Sequence, residues 1–203
     1  MILSHFWGLL FHPDEEWTSI REHPPGIIRL YLGQVIWLAA LPAICTYLGT
    51  TRTGWSLPGS DQVVKLTETS AAAMAIFAWL AILAGVAIMG AFIQWMAETF
   101  GSKPSLTQSV AFSCYTAAPL FLAGFCGLYP SIWLTIVAGT IASSCSAWLL
   151  YSGLPTFMQI PREQGFVYAS SVLCIGLVVL VSIMITTVIF WGMGVGPEYI
   201  QVH

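Results

Sequence analysis

Charged residues are scarce in this sequence. Six Lys and Arg and nine Asp and Glu make up 7% of the 203 residues and leave a net charge of -3, whereas soluble domains contain roughly 25% charged residues. Apolar residues account for 57% of the chain. This composition excludes an ordinary soluble domain, and the shortage of cations excludes a nucleic-acid surface or a polybasic lipid patch. We therefore predict an all-α, polytopic membrane helix bundle.

The spacings that catalysis and metal binding require are also missing. No two of the five cysteines form a C-x-x-C pair, and all five fall within apolar runs, so we interpret them as small apolar side chains. The four histidines lie outside the predicted membrane spans, and the membrane part contains no His-x-x-Glu-His or Ser/His arrangement. The sequence thus predicts no enzyme, no metal site and no cofactor. The cysteines are Cys45, Cys114, Cys126, Cys145 and Cys174, and the histidines are His5, His12, His23 and His203.

The chain opens with a segment that is too short to cross a bilayer. Residues 2–11 are apolar and aromatic but have no basic region and no small-residue cleavage pattern, so we predict an interfacial helix and no cleavable signal peptide. A second short helix is predicted from about Asp14 to Glu22, with Glu15 and Glu16 as solvated charges of its first turn. Together, residues 1–26 form a predicted N-terminal segment at the cytoplasmic surface.

Five apolar runs that are each long enough to span a bilayer follow. The predicted spans are about 27–47, 71–96, 106–128, 130–151 and 166–193, within a membrane domain of residues 27–196. The second span is rich in Ala and Gly, which predicts a helix packed in the middle of the bundle. Gly153-Leu154-Pro155 is predicted as a loop after the fourth span, and the tail at 197–203 is predicted to be too short to fold.

Polar groups near the ends of the spans are candidates for a ligand site. Gln94 and Glu98 lie one helical turn apart on the same face, and acids within membrane spans are functional candidates. Gln34 and the break in backbone hydrogen bonding at Pro119 are further candidates to line such a ligand site. The candidate polar site consists of Gln94, Glu98, Lys103, Tyr115 and Arg162.

Short motifs around the third and fourth spans form a familiar pattern. They are Phe100-Gly101 before the third span, Tyr115 and Pro119 within it, the turn at Tyr129-Pro130, Gly153 near the end of the fourth span, and Pro161. With Pro13, Trp17 and Ile20 ahead of the first span, the chain resembles the Yip1 domain family. The resemblance implies a bundle of five membrane helices with a cytoplasmic N-terminus.

The same resemblance limits which partners are expected. Eukaryotic Yip1 members reside in Golgi and endoplasmic reticulum membranes and bind Rab GTPases. This chain lacks their long polar cytosolic segment and its Asp-Leu-Tyr-Gly-Pro motif, so Rab binding is not expected. The compact chain resembles the bacterial branch, which implies the cytoplasmic membrane of a bacterium.

Two functions remain open at this stage. One is a scaffold or organiser that interacts with lipids, with other integral membrane proteins or with itself as a homo-oligomer, because small-residue helix faces favour helix association. The other is a transporter or channel for a small solute, ion or lipid that uses the polar site near Gln94 and Glu98.

Charge at the loops predicts the orientation in the membrane. Arg21, Arg29, Lys103 and Arg162 lie on the N-terminal side of the bundle, while the opposite side has two basic residues. The positive-inside rule then places the N-terminus in the cytoplasm and the C-terminus outside. We expect a periplasm-dependent phosphatase fused after residue 203 to be active, and a fusion reporter that works only in the cytoplasm to be silent there. The reverse pattern would overturn the assignment.

Overall fold

The structure, a computed structural model, describes residue 8 and residues 12–22, 26–56, 63–194 and 196–202. Its helices are α1 (Pro13–Glu22), α2 (Ile27–Thr53), α3 (Glu68–Phe100), α4 (Leu106–Leu128), α5 (Ile132–Met158) and α6 (Arg162–Gly192). Its strands are β1 (Trp55–Ser56), β2 (Val63–Leu66) and β3 (Tyr199–Val202).

Helices α2 to α6 are all long and apolar enough to cross a membrane. They confirm the predicted all-α, five-span bundle. Helix α1 confirms the predicted second short helix almost to the residue, whereas nearly all of the predicted interfacial helix at 2–11 lies outside the described residues.

Local sequence sets where these helices begin and end. The Ser105 side chain accepts a hydrogen bond from the Gln108 backbone, and the Gln108 side chain accepts one from the Ser105 backbone, so the two form a capping box at the start of α4. At the end of α3, Gly101 adopts a φ of 75°, a left-handed conformation that glycine takes without steric cost. The left-handed backbone of Gly101 therefore explains the predicted turn at Phe100-Gly101.

Helix α4 occupies the middle of the bundle. Half of its most apolar window is buried, compared with 17% for α3 and 6% for α6. The prediction that the second span lies in the middle is wrong, although α3 does use one of its small residues for a close crossing. At Gly90, a Cβ atom would lie 2.8 Å from the Cα of Val110 on α4.

Two prolines inside the spans each face a glycine on a neighbouring helix. Pro42 of α2 lies against Gly124 near the end of α4, and Pro155 of α5 lies against Gly165 of α6. A Cβ at Gly124 would come within 2.6 Å of the Pro42 Cα. Because a proline interrupts the helical hydrogen bonds and adds a ring, the bare glycine opposite lets the second backbone approach it closely.

The fourth span does not end where the sequence predicted. Helix α5 continues through Gly153 and Pro155 to Met158, so the predicted loop at 153–155 is helical. Pro155 lies in the last turn of the helix, where its missing N–H removes one bond, to the carbonyl of Tyr151. Pro161, predicted as part of the following loop, forms the N-cap of α6.

The C-terminal tail is folded, contrary to prediction. Strand β3 pairs antiparallel with β2, which in turn pairs with β1, in a three-stranded sheet of order β1-β2-β3. Leu66 is opposite Tyr199, and the ring of Tyr199 meets that of Trp55 edge to face at 6.1 Å. The tail folds because the loop between α2 and α3 supplies a partner strand. The few residues of the tail could not form a sheet on their own.

The crossing of α3 and α4 predicts a contrast between two glycines of one helix. Gly90→Ala should place a methyl group against the Val110 backbone and lower the stability by about 1–3 kcal/mol, as overpacking does. Gly85→Ala, on the same helix with open space around it, should be neutral or slightly stabilising. Thermal unfolding in detergent compares the two variants, and equal melting temperatures would contradict the tight crossing.

Candidate functional site

Helix α1 packs against one end of the bundle through a single aromatic side chain. Trp17 is fully buried. Its ring lies 4.7 Å from Phe112 of α4 and 5.8 Å from Phe157 of α5, measured between centroids. Gly153 provides the space, because a Cβ there would lie 2.8 Å from the indole Cζ2. The predicted motif residue Gly153 thus forms the seat for Trp17.

Polar contacts around Trp17 hold α1 to the bundle. The Arg21 guanidinium donates to the Phe157 carbonyl at 2.5 Å, and the Gln108 amide donates to the Arg21 carbonyl at 3.0 Å. The Thr156 hydroxyl donates to the Asp14 carboxylate at 3.0 Å. Partial burial lowers the pKa of Arg21 from its ordinary value, but a guanidinium remains protonated at physiological pH. The Arg21 contact is therefore a charge-assisted hydrogen bond.

A second polar group lies deeper, between α1, α2 and α4. The Tyr115 hydroxyl of α4 lies 3.5 Å from the Gln34 side-chain oxygen. Gln34 belongs to a π-helical turn, Tyr31–Val35, within α2. Glu16 is half-buried and interacts electrostatically with Tyr115. This internal polar cluster, consisting of Glu16, Gln34 and Tyr115, joins α1, α2 and α4.

The predicted polar site is spread over three places. Tyr115 lies in the internal polar cluster. Gln94 is half-buried on α3, and Glu98 and Lys103 are exposed at and beyond its end. Arg162 is exposed at the start of α6, where it lines a shallow cavity of about 310 Å³ together with Asp14 and Thr156. The structure therefore places Arg162 beside α1.

The predicted motif residues have structural positions in or between the helices. Gly101 closes α3 with its left-handed backbone. Pro119 is buried inside α4, Tyr129 is exposed, and Pro130 is half-buried in the turn between α4 and α5. Pro161 caps α6. These residues shape helix ends and crossings.

Sequence reasoning missed the role of α1 in this site. Glu16 was interpreted as a solvated charge, whereas it is half-buried beside Tyr115; Glu15 is exposed as expected. The available signal was the apolar pair Trp17 and Ile20, three residues apart in an otherwise polar helix. Such spacing indicates one face directed at a core, and Glu16 lies next to that face.

Within the described part of the chain, no group of three or more His, Cys, Asp or Glu side chains is arranged to hold a metal ion. Of the four histidines, only His12 is described, and it is exposed. The side chains around Trp17 and in the internal polar cluster form hydrogen bonds and pack between helices.

Comparison with known proteins identifies the family. The Yip1 domain family model matches residues 7–183. The chain belongs to the Yip1 domain family. The matched segment extends from α1 through most of α6, so the five-span architecture and the docked N-terminal helix both fall within the Yip1 domain.

Two curated relatives support this assignment. The chain is 42% identical over 192 residues to the inner membrane protein YohC of Escherichia coli strain K12, covering 95% of this chain and 98% of the relative. It is equally similar to the inner membrane protein YohC of Escherichia coli O6:H1 strain CFT073, with the same coverage. No solved structure matches the chain. The protein is therefore an integral membrane member of the Yip1 domain family.

The seat of Trp17 predicts how α1 stays in place. Trp17→Ala should loosen α1, because truncating a buried Trp costs about 3–5 kcal/mol, more than any single hydrogen bond that holds the helix contributes. We expect faster amide hydrogen exchange across residues 13–22 in nanodiscs. Trp133→Ala is the matched control, since Trp133 is 76% exposed. Unchanged exchange in Trp17→Ala would show that the polar contacts alone hold α1.

Proposed function

We propose that this protein is a non-catalytic organiser of a bacterial inner membrane, with its N-terminus in the cytoplasm, and that it acts as a homodimer. The observation that supports this proposal is an apolar groove between α2 and α3, which we call the alanine groove. It measures about 360 Å³ and is lined by Ala40, Ala43, Ile44, Tyr47, Ala72, Ala75, Ile76 and Trp79.

The alanine groove has the composition of a helix-packing face. Small residues allow backbones to approach closely in membranes, where packing drives association. One hydrogen bond fixes the two walls, from the Trp79 indole to the Ile36 carbonyl at 3.1 Å. The groove is therefore a defined surface of the folded bundle.

A second copy of the chain is the occupant that the shape favours. Ile44 and Ile76 are 55% and 56% exposed beside the four alanines, so one face carries both protruding and recessed side chains. A twofold interface brings the same patch of each subunit together. Isoleucines of one copy can then enter the alanine-lined recess of the other. The groove-lining residues carry no charge, so burying them leaves no ion unpaired.

The alternative, transport of a small solute through the site near Gln94 and Glu98, has less support. Glu98 is exposed at the end of α3. Because this charge is exposed, it needs neither a ligand nor a polar pathway to compensate for the cost of burial. The organiser is the better-supported proposal.

Filling the recess tests the dimer. Ala75→Leu should block the approach of the second copy and convert dimers to monomers, counted by single-molecule photobleaching of labelled protein in vesicles at low density. Ala87→Leu is the matched control, because Ala87 is an exposed alanine of the same helix that does not line the groove. A wild-type protein that is monomeric, or dimers that survive Ala75→Leu, would overturn the proposal.

A further inference from the structure

A cavity lined by one cation and one anion lies where α1 meets α5 and α6. We call it the Arg162 cavity. It measures about 310 Å³, at the small end of the range of roughly 300–1,000 Å³ that small-molecule sites occupy. Arg162 and Asp14 supply its two charged side chains, and both residues are exposed. Tyr151, Thr156 and Phe166 are among its other lining residues.

The two charged side chains line the same cavity but do not pair with each other. The Asp14 carboxylate accepts a hydrogen bond from the Thr156 hydroxyl at 3.0 Å through Oδ1, and this bond holds the carboxylate at the cavity wall. Among the described residues, neither Asp14 Oδ2 nor the Arg162 guanidinium has a hydrogen-bond or ion-pair partner within 4.0 Å. A ligand with two opposite charges could therefore contact both groups.

Helix lengths place the cavity at the level of the lipid headgroups. Helices α5 and α6 have 27 and 31 residues, so they are about 40 and 46 Å long, compared with about 30 Å for the hydrocarbon core. The start of α6 at Arg162 and the end of α5 thus extend beyond the hydrocarbon, where an exposed guanidinium is tolerated. Phe166 lies one turn deeper and is 63% exposed. Charged groups therefore lie at headgroup level, with an aromatic ring towards the acyl chains.

Two aromatic side chains form the wall on the side of the hydrocarbon. The rings of Tyr151 and Phe166 lie 5.3 Å apart, measured between centroids. The hydroxyls of Tyr151 and Ser170 share a hydrogen bond of 2.9 Å. These contacts join α5 to α6, and aromatic rings are favoured at this depth of the bilayer. The wall is therefore suited to the glycerol end of a phospholipid.

The two charges distinguish among phospholipid headgroups. A phosphate accepts charge-assisted hydrogen bonds from a guanidinium, and the start of α6, which has no side-chain cap, adds positive potential. Glu163 of the same turn does not line the cavity. Asp14 disfavours a headgroup that carries only negative charge. A primary ammonium donates hydrogen bonds to a carboxylate, whereas a quaternary ammonium has no N–H to donate.

We propose that the Arg162 cavity binds the headgroup of phosphatidylethanolamine, in the leaflet at the N-terminal end of the bundle. The phosphate pairs with the Arg162 guanidinium, and the ammonium, two carbons away, pairs with the Asp14 carboxylate. The acyl chains leave past Phe166. Because Asp14 belongs to α1 and Arg162 to α6, the lipid also links these two helices. Binding here does not require dimerisation at the alanine groove, which lies between α2 and α3.

Native mass spectrometry of the full-length protein in detergent measures this binding. The probes are phosphatidylethanolamine, phosphatidylglycerol and phosphatidylcholine with identical acyl chains. We expect phosphatidylethanolamine to bind about three- to fivefold more tightly than the other two, as one partly exposed ion pair allows. Glycerophosphoethanolamine, which is the same headgroup without acyl chains, should not displace the lipid at equal concentration. Equal affinities for the three lipids, or displacement by the soluble headgroup, would overturn the proposal.

Two substitutions separate the roles of the two charges. Arg162→Gln removes the partner of the phosphate and should weaken the binding of all three lipids about three- to fivefold. Asp14→Asn keeps an acceptor for the Thr156 hydroxyl but removes the charge, so it should abolish the preference for phosphatidylethanolamine and leave the affinity for phosphatidylcholine unchanged. A preference that survives Asp14→Asn, or affinities that Arg162→Gln does not change, would contradict the site.

The matched controls are Lys103→Gln and Glu15→Gln. Both remove exposed charges at the same end of the bundle that do not line the cavity, and both should bind the three lipids as the wild type does. If Arg162→Gln or Asp14→Asn fails to fold, phosphatidylethanolamine with a photoreactive group near the glycerol end of one acyl chain decides instead. Crosslinks of the wild type within residues 148–156 and 162–170 support the site, and crosslinks confined to other segments overturn it.

Discussion

The lack of hydrogen-bonding partners in lipid is the constraint on which this structure depends. Every backbone N–H and C=O group within the hydrocarbon has to be satisfied inside the protein, and the five long helices achieve this. Prolines 42 and 155 interrupt the helical bonding, and each is placed against a glycine, Gly124 and Gly165 respectively. The interruptions therefore occur where a neighbouring backbone lies close, which keeps the disturbed part of each helix away from lipid.

Polar side chains also need hydrogen-bonding partners, and they find them both at the end that carries α1 and deeper in the bundle. At the end that carries α1, Arg21, Gln108 and Thr156 pair with backbone or carboxylate oxygens. Deeper in the bundle, Tyr115 and Gln34 face each other across two helices. Only a few buried side-chain polar atoms among the described residues lack a partner, and they belong to Trp17, Ser109, Thr116 and Ser146.

Much of the fold follows from the sequence because hydropathy is a local property. Uninterrupted apolar runs of about 20 residues predicted all five spans, and Ser105 with Gln108 marks the start of α4 as a capping box does. The errors came from residues whose role depends on distant partners. Gly153 and Pro155 have the local signature of a loop, yet they belong to a helix because Trp17 needs Gly153 and Gly165 accommodates Pro155. Contacts between different helices or strands leave no trace in a local pattern, which also explains the missed strand β3. The candidate site was less predictable for the same reason, since Glu16 gains its environment only when α1 docks.

The pairing of β3 with β2 has a consequence for how the protein is made. Strand β2 is synthesised before α3, α4, α5 and α6, whereas β3 follows all of them, so β2 has its second neighbour only after the last helix has crossed the bilayer. The sheet can therefore be completed only after the last helix has been made. Its three strands then link the loop between the first two spans to the segment that follows the last one.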